Sequence, residues 1–143
     1  MARVERSIVV PVTPEAAFDY VADFSTTAEW DPGIAAASRL DDEPVGLGSR
    51  FSVTAAFGDR ELPLVYEITE FDRPDRVVLV GTGGVFRGVD TIRFTPVAEG
   101  TRIGYVANLT LTGFAKLVQP FMGRRFQELG DRAMAGLQAV LST

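Results

Sequence analysis

The sequence predicts an α+β fold in which an antiparallel sheet curls around a long C-terminal helix. Three observations carry this. From Val118 onward the apolar residues Val118, Met122, Phe126, Leu129, Ala133, Leu137 and Val140 share one stripe at the helical period, with Arg124, Gln127, Glu128, Asp131 and Gln138 opposite. Most of the chain before that stripe alternates polar and apolar residues, as half-buried strands do. The turns between successive strands are short, which demands an antiparallel meander. A long amphipathic helix laid across a curved sheet encloses a pocket, so the chain reads as a container.

Each element has a local signature. Residues 3–12, rich in Val and Ile, form a first strand. Thr13-Pro14-Glu15 then opens a helix with a Thr N-cap, Pro at the first helical position and an acid in the first turn. Ala17, Phe18 and Val21 form its apolar face. A second short helical turn over residues 23–31 closes at Trp30-Asp31-Pro32, because a residue before proline is pushed out of the helical region. Residues 34–40 are a weak, alanine-rich strand, followed by the acidic turn Asp41-Asp42-Glu43-Pro44 and the Gly46-Leu47-Gly48 entry.

Residues 49–57 place Phe51, Val53, Ala55 and Phe57 on one face, and Gly58-Asp59 signals a tight turn. Leu62, Leu64, Tyr66 and Ile68 share the next inner face, where Pro63 points to an edge position or a bulge. After the turn Asp72-Arg73-Pro74-Asp75, residues 76–82 form a valine-rich strand ending in a Gly83-Gly84 hairpin. Residues 86–95 place Ile92 and Phe94 on one face, and residues 101–111 turn Ile103, Tyr105, Ala107, Leu109 and Leu111 inward. Residues 114–141 are helical, with a break at Pro120 where a backbone donor is missing.

The 143 residues make one domain spanning 1–143, without internal repeats or linkers. A net charge of -5 argues against a nucleic-acid partner. The chain has no cysteine and no histidine, which excludes disulfides, thiolate nucleophiles, Cys/His zinc sites and histidine-based catalysis. No secretory signal or membrane-spanning run is evident, and a cytoplasmic location is expected. Asp41-Asp42-Glu43 is a turn rather than a metal site, and Gly81-Thr82-Gly83-Gly84 lacks the nucleotide-loop pattern. Neither a metal nor another cofactor is expected.

Asp90 is the most informative candidate. It shares strand phase with Phe86, Gly88, Ile92 and Phe94, so it points inward if the register holds. A carboxylate in an apolar cavity has a raised pKa and can act as a catalytic general acid or base. The ordinary alternative is that a bulge turns it to solvent, or that a nearby arginine pairs with it. Tyr66 and Tyr105 also face inward, where their hydroxyls could orient a ligand or simply sit at the rim of the core. Trp30 belongs beneath the short helices as core or pocket wall. Phe51, Val53, Phe57, Leu64, Ile68, Ile92 and Leu109 on the sheet line a pocket only if an unfilled volume lies among them. The same holds for Phe121, Met122 and Phe126 on the helix. Arg125, at the edge of the helical stripe, could pair with an acidic ligand or with Asp90.

Across the chain, Pro14-x3-Phe18-x2-Val21-x-Asp23, Trp30-x-Pro32, Gly46-x-Gly48, Pro74-Asp75-Arg76-Val77 and Gly100-Thr101 precede the terminal helix. This order and spacing resembles the START/Bet v 1-like (SRPBCC) superfamily, which includes polyketide cyclases/dehydrases and lipid-transport proteins. The resemblance implies a helix-grip fold: a seven-stranded antiparallel sheet wrapped around the C-terminal helix, with two short helices closing an apolar cavity. The matching residues are scaffold residues, and none carries a catalytic motif. The resemblance implies binding or transport of a small hydrophobic molecule: a lipid, isoprenoid, quinone or polyketide-like compound. The alternatives are a polyketide cyclase/dehydratase acting in the same cavity and a protein-interaction module; a homodimer stays open.

Overall fold

In the computed structural model, residues 2–57, 59–117 and 123–143 are described. Strands β1 (Ala2–Val10), β2 (Ile34–Arg39), β3 (Arg50–Phe57), β4 (Arg60–Asp72), β5 (Arg76–Gly83), β6 (Phe86–Val97) and β7 (Gly100–Leu111) form one sheet of order β1-β7-β6-β5-β4-β3-β2. Every neighbouring pair is antiparallel. This is the expected α+β helix-grip architecture.

The short helices follow from their caps. Helix α1 (Pro14–Ala22) starts where the Thr13 hydroxyl accepts a hydrogen bond from the Ala16 N–H at 3.2 Å, satisfying a donor that the first turn leaves open. A 3-10 turn (Phe24–Thr26) and helix α2 (Thr27–Trp30) follow, held by Asp23, whose carboxylate accepts from the Ser25 N–H at 3.1 Å. Helix α3 (Gly123–Leu141) comes after a second 3-10 turn (Gly113–Leu117). The expected break at Pro120, with Val118, Phe121 and Met122, lies outside the described residues.

Two glycines seat α3. A Cβ on Gly130 would collide with Val4 of β1, and one on Gly136 with the Trp30 carbonyl at the end of α2. With only hydrogen there, α3 lies directly against both elements and buries Ala133, Met134 and Leu137. No helix of the described residues is long and apolar enough to cross a membrane.

Pro63 shows how a central strand tolerates proline. β4 lies between β3 and β5, so it is not an edge strand. Its pairing with β5 begins only at Val65 opposite Thr82, while Pro63 sits opposite Thr54 of β3. The position is locally an edge, and the missing N–H interrupts no β4–β5 ladder. The register shift in β4 comes later, between Ile68 and Glu70.

At one end the sheet–helix interior is solid. Phe18 of α1 meets Phe71 and Phe94 edge-on, with ring centroids 5.1 and 5.2 Å apart. Val10, Ile92, Ile103 and Leu137 complete this packing with no exposed surface.

Candidate functional site

The other end is hollow. A cavity of about 150 Å³ opens between the inner faces of β3, β4, β6 and β7, the end of α2 and the first half of α3. Its existence follows from side-chain size. Inward positions here are Ala55, Gly88 and Ala107, where the same phase farther along β6 and β7 carries Ile92, Phe94 and Ile103. A Cβ at Gly88 would lie 3.7 Å from both the Asn108 carbonyl and the Tyr66 hydroxyl, so a methyl fits here at ordinary contact distance.

Most of the wall is apolar: Leu64, Leu109, Phe126, Leu129, Ala133 and Met134 all contribute. Into it project two carboxyls and two phenols. Asp90 is only 9% exposed, and its Oδ2 accepts a hydrogen bond from the Tyr105 hydroxyl at 2.5 Å. Tyr105 stands opposite Ile92 and Asp90 opposite Ala107, so the pair is a diagonal contact between adjacent strands. Burial pushes the Asp90 carboxyl up to about 7, against the pull of the Tyr105 hydrogen bond, and the charge of Asp31 adds to the rise. Burial also holds Tyr105 and Tyr66 well above the usual phenol range, with Asp90 reinforcing both.

Asp31 was not anticipated as a site residue. It ends α2, and its Oδ1 accepts from the Gly33 N–H at 2.8 Å, which fixes the carboxyl toward the cavity wall. Burial pushes it up to about 6, partly offset by that backbone hydrogen bond. Its sequence signal was slight: a carboxyl beside Trp30, an expected pocket wall.

Arg6 also lines the cavity and was likewise missed. It shares the period-two phase of Val4, Ile8 and Val10, which was legible on β1. Its guanidinium donates to Asp131 Oδ1 at 2.6 Å and Gln127 Oε1 at 2.9 Å on α3, and to the Glu5 carbonyl at 2.9 Å.

Of the residues singled out from sequence, the structure brings together Trp30, Leu64, Tyr66, Asp90, Tyr105, Leu109 and Phe126 around the cavity. Trp30 donates from its indole N–H to the Thr26 hydroxyl at 3.2 Å, and its ring meets Tyr105 edge-on at 6.3 Å. Phe51, Val53, Ile68 and Ile92 face inward but lie in the solid core instead of the cavity wall. The reason is cover by other elements: Phe24 packs on Phe51 at 6.4 Å, and Phe18 fills the region of Phe94 beside Ile92. Arg125 is exposed on α3 and lines no part of the cavity; the partner of Asp90 is Tyr105. The Phe57 side chain, Phe121 and Met122 lie outside what the structure describes.

The arrangement can bind an apolar body while offering a carboxyl–phenol pair to its polar end. It can also hold or release a proton near neutrality. No group of His, Cys, Asp and Glu suited to a metal ion occurs among the described residues.

Comparison with known proteins agrees with this fold. The sequence signature of the family described as polyketide cyclase/dehydrase and lipid transport matches residues 1–142. An uncharacterised protein of Mycobacterium tuberculosis is 33% identical over 110 residues, covering 73% of each chain. Among solved structures, TTHA0849 from Thermus thermophilus superposes with a TM-score of 0.77 at 23% identity, over 96% of this chain and 94% of its own. The di-domain ARO/CYC protein StfQ of the steffimycin biosynthetic pathway gives 0.74 at 14% identity, with 98% of this chain matching 50% of StfQ. Ara h 8.0201 gives 0.64 at 16% identity, over 96% and 97% of the two chains. At such identities these structures share the fold alone, whereas the signature spans nearly every residue: the chain belongs to the polyketide cyclase/dehydrase and lipid transport family.

Proposed function

We propose that this protein binds a small, largely apolar molecule in the cavity between sheet and helix, with Asp90, Tyr105 and Tyr66 orienting its polar end. The observation that carries this reading is the Asp90–Tyr105 pair set into a largely apolar, partly unfilled wall. Burial of apolar surface drives association, and the few polar groups select orientation. A cavity of about 150 Å³ has the volume that accommodates a benzene-sized molecule. The enclosed part of the ligand is therefore about one ring, and any longer body leaves through the opening. Family membership supports the same reading, within the range of lipid, isoprenoid, quinone or polyketide-like ligands. A cytoplasmic setting belongs to this proposal, since a cysteine-free chain needs no oxidising compartment.

Native mass spectrometry beside the denatured mass tests it. A non-covalent adduct of a small organic molecule, lost in a Gly88→Leu variant whose side chain fills the cavity, supports binding. An adduct retained by folded Gly88→Leu places the ligand elsewhere.

A second reading is favoured by one observation: a carboxyl pushed up to about 7 can give and take a proton at neutral pH. In that reading the protein is a cyclase or dehydratase, with Asp90 as proton carrier and Tyr105 beside it. Asp90→Asn separates the two. For a neutral ligand, a carrier keeps its affinity within a few fold, whereas an enzyme loses turnover and keeps binding.

A further inference from the structure

The charged groups on the cavity wall are unequal in number and in freedom. Asp31 enters from the end of α2 and Asp90 from β6, while the cation among the described lining residues is Arg6 of β1. Arg6 is already committed to Asp131, Gln127 and the Glu5 carbonyl. An anionic ligand head would therefore meet two carboxyls without an uncommitted cation among the described lining residues to receive it. The aromatic groups point the same way. Trp30, Tyr66 and Tyr105 bring three electron-rich rings to the space that holds both carboxyls, and ring faces attract cations. The Tyr66 hydroxyl has no hydrogen-bond partner among the described residues and can accept from an ammonium N–H.

We propose that the cavity selects an organic cation, a protonated amine carried on an apolar body of about one ring, and refuses carboxylates. The inference rests on the cavity being the binding site and adds the charge of what enters it. Carboxyls and aromatic rings together in a largely apolar space favour a positive head over a neutral one, and a neutral head over a negative one.

The preference depends on pH through the groups facing the space. These are Asp31 of α2 and Asp90 of β6, pushed up to about 6 and about 7. Tyr66 of β4 and Tyr105 of β7 are held above their ordinary range, and Arg6 of β1 lines the same space. The described lining residues of α3, including Phe126, Leu129 and Met134, bring no titratable group. As pH falls through the two carboxyl values, protonation removes the negative wall and the amine preference shrinks.

Three probes of one size isolate the charge: benzylamine, benzyl alcohol and benzoate, titrated into the intact protein by calorimetry. At about pH 8, benzylamine should bind at least about tenfold more tightly than benzyl alcohol, with benzoate weakest. At about pH 5 the amine–alcohol gap should narrow severalfold. Asp31→Asn or Asp90→Asn should cut amine affinity more than alcohol affinity and so narrow the amine–alcohol gap at about pH 8. Benzyl alcohol binding as tightly as the amine at the higher pH, or benzoate matching the amine, overturns this inference and leaves the cavity reading standing. Failure of all three to bind overturns both.

Discussion

Strands β6 and β7 keep one alternation along their whole length, yet the interior they face is solid at one end and hollow at the other. At the solid end Ile92, Phe94 and Ile103 meet Phe18 of α1. At the hollow end Gly88, Asp90, Tyr105 and Ala107 face Trp30, Asp31 and α3. The backbone pattern is continuous, so side-chain volume and polarity alone separate scaffold from site. Stability is concentrated where large apolar groups close the space. The proposed site lies where small groups leave it open and a buried acid makes it costly.

The sharpest way to break this contrast is at its solid end. Phe18 has no exposed surface and touches Phe71 and Phe94 edge-on. Phe18→Ala should cost about 3–5 kcal/mol, the transfer term plus an unfilled cavity. Urea denaturation reads this as a lowered midpoint at unchanged slope. A cost under about 1 kcal/mol would mean that the solid end collapses freely and is not the anchor of the fold.

At the hollow end the buried acid works against folding. Asp90 titrates at about 7 when folded, and an unfolded aspartate near about 3.9. Between those values the folded state holds a proton that the unfolded state has released, so stability falls as pH rises through the window. The cost is absent below it and complete above about pH 7. Asp31 acts with the same sign up to about 6. Asp90→Asn keeps an acceptor for the Tyr105 hydroxyl and removes the charge, so it should gain on the order of 1–3 kcal/mol at about pH 8. It should also flatten the stability profile between pH 6 and 7, the span left to Asp90 alone. A variant no more stable than the parent, with the slope intact, would place the ionisation elsewhere.

The same contrast explains what the sequence could show. Strand phase placed Asp90, Tyr66 and Tyr105 inward, because a period of two is local and the register held across β6 and β7. Phase could not say which inward residues another element covers. Phe51 and Ile92 carry the same pattern as Leu64 and Leu109 but are sealed by Phe24 and the Phe18 region. That information lies in how α1 and the first 3-10 turn dock, a long-range property. Asp31 sits in a helix-ending turn without periodicity, so only the fold brings it to Asp90. Arg6 was within reach: its phase on β1 is that of Val4 and Val10.

Two glycines on neighbouring strands sharpen the comparison further. Gly81 of β5 backs onto the Tyr66 ring, where a Cβ would lie 2.5–2.8 Å from ring carbons. Gly88 of β6 leaves ordinary contact distance to the Tyr66 hydroxyl. Gly81→Ala must push the ring toward the cavity and should cost about 1–3 kcal/mol as overpacking. Gly88→Ala should stay within about 0.5 kcal/mol. Thermal melts of the two variants test this, with tyrosine fluorescence expected to change in Gly81→Ala. Equal effects would mean that Tyr66 is not held by the β5 wall.

The smallest effect belongs to the polar clasp at the open end. Arg6 and Asp131 join β1 to α3 at 2.6 Å, but their side chains are 34% and 61% exposed. Water and ions screen such a pair, so Asp131→Asn should cost only about 0.2–1 kcal/mol. The loss should fade in about 1 M salt, where the screening length is about 3 Å. At the other end of α3, Leu137 is fully buried, and Leu137→Ala should cost about 2–5 kcal/mol regardless of salt. Beside the cavity, the clasp would then add a weak, salt-sensitive contribution to the close packing of Gly130 on Val4, while Leu137 is held by packing alone. A clasp worth several kcal/mol in high salt would mean that the pair is held out of solvent and is not a screened surface contact.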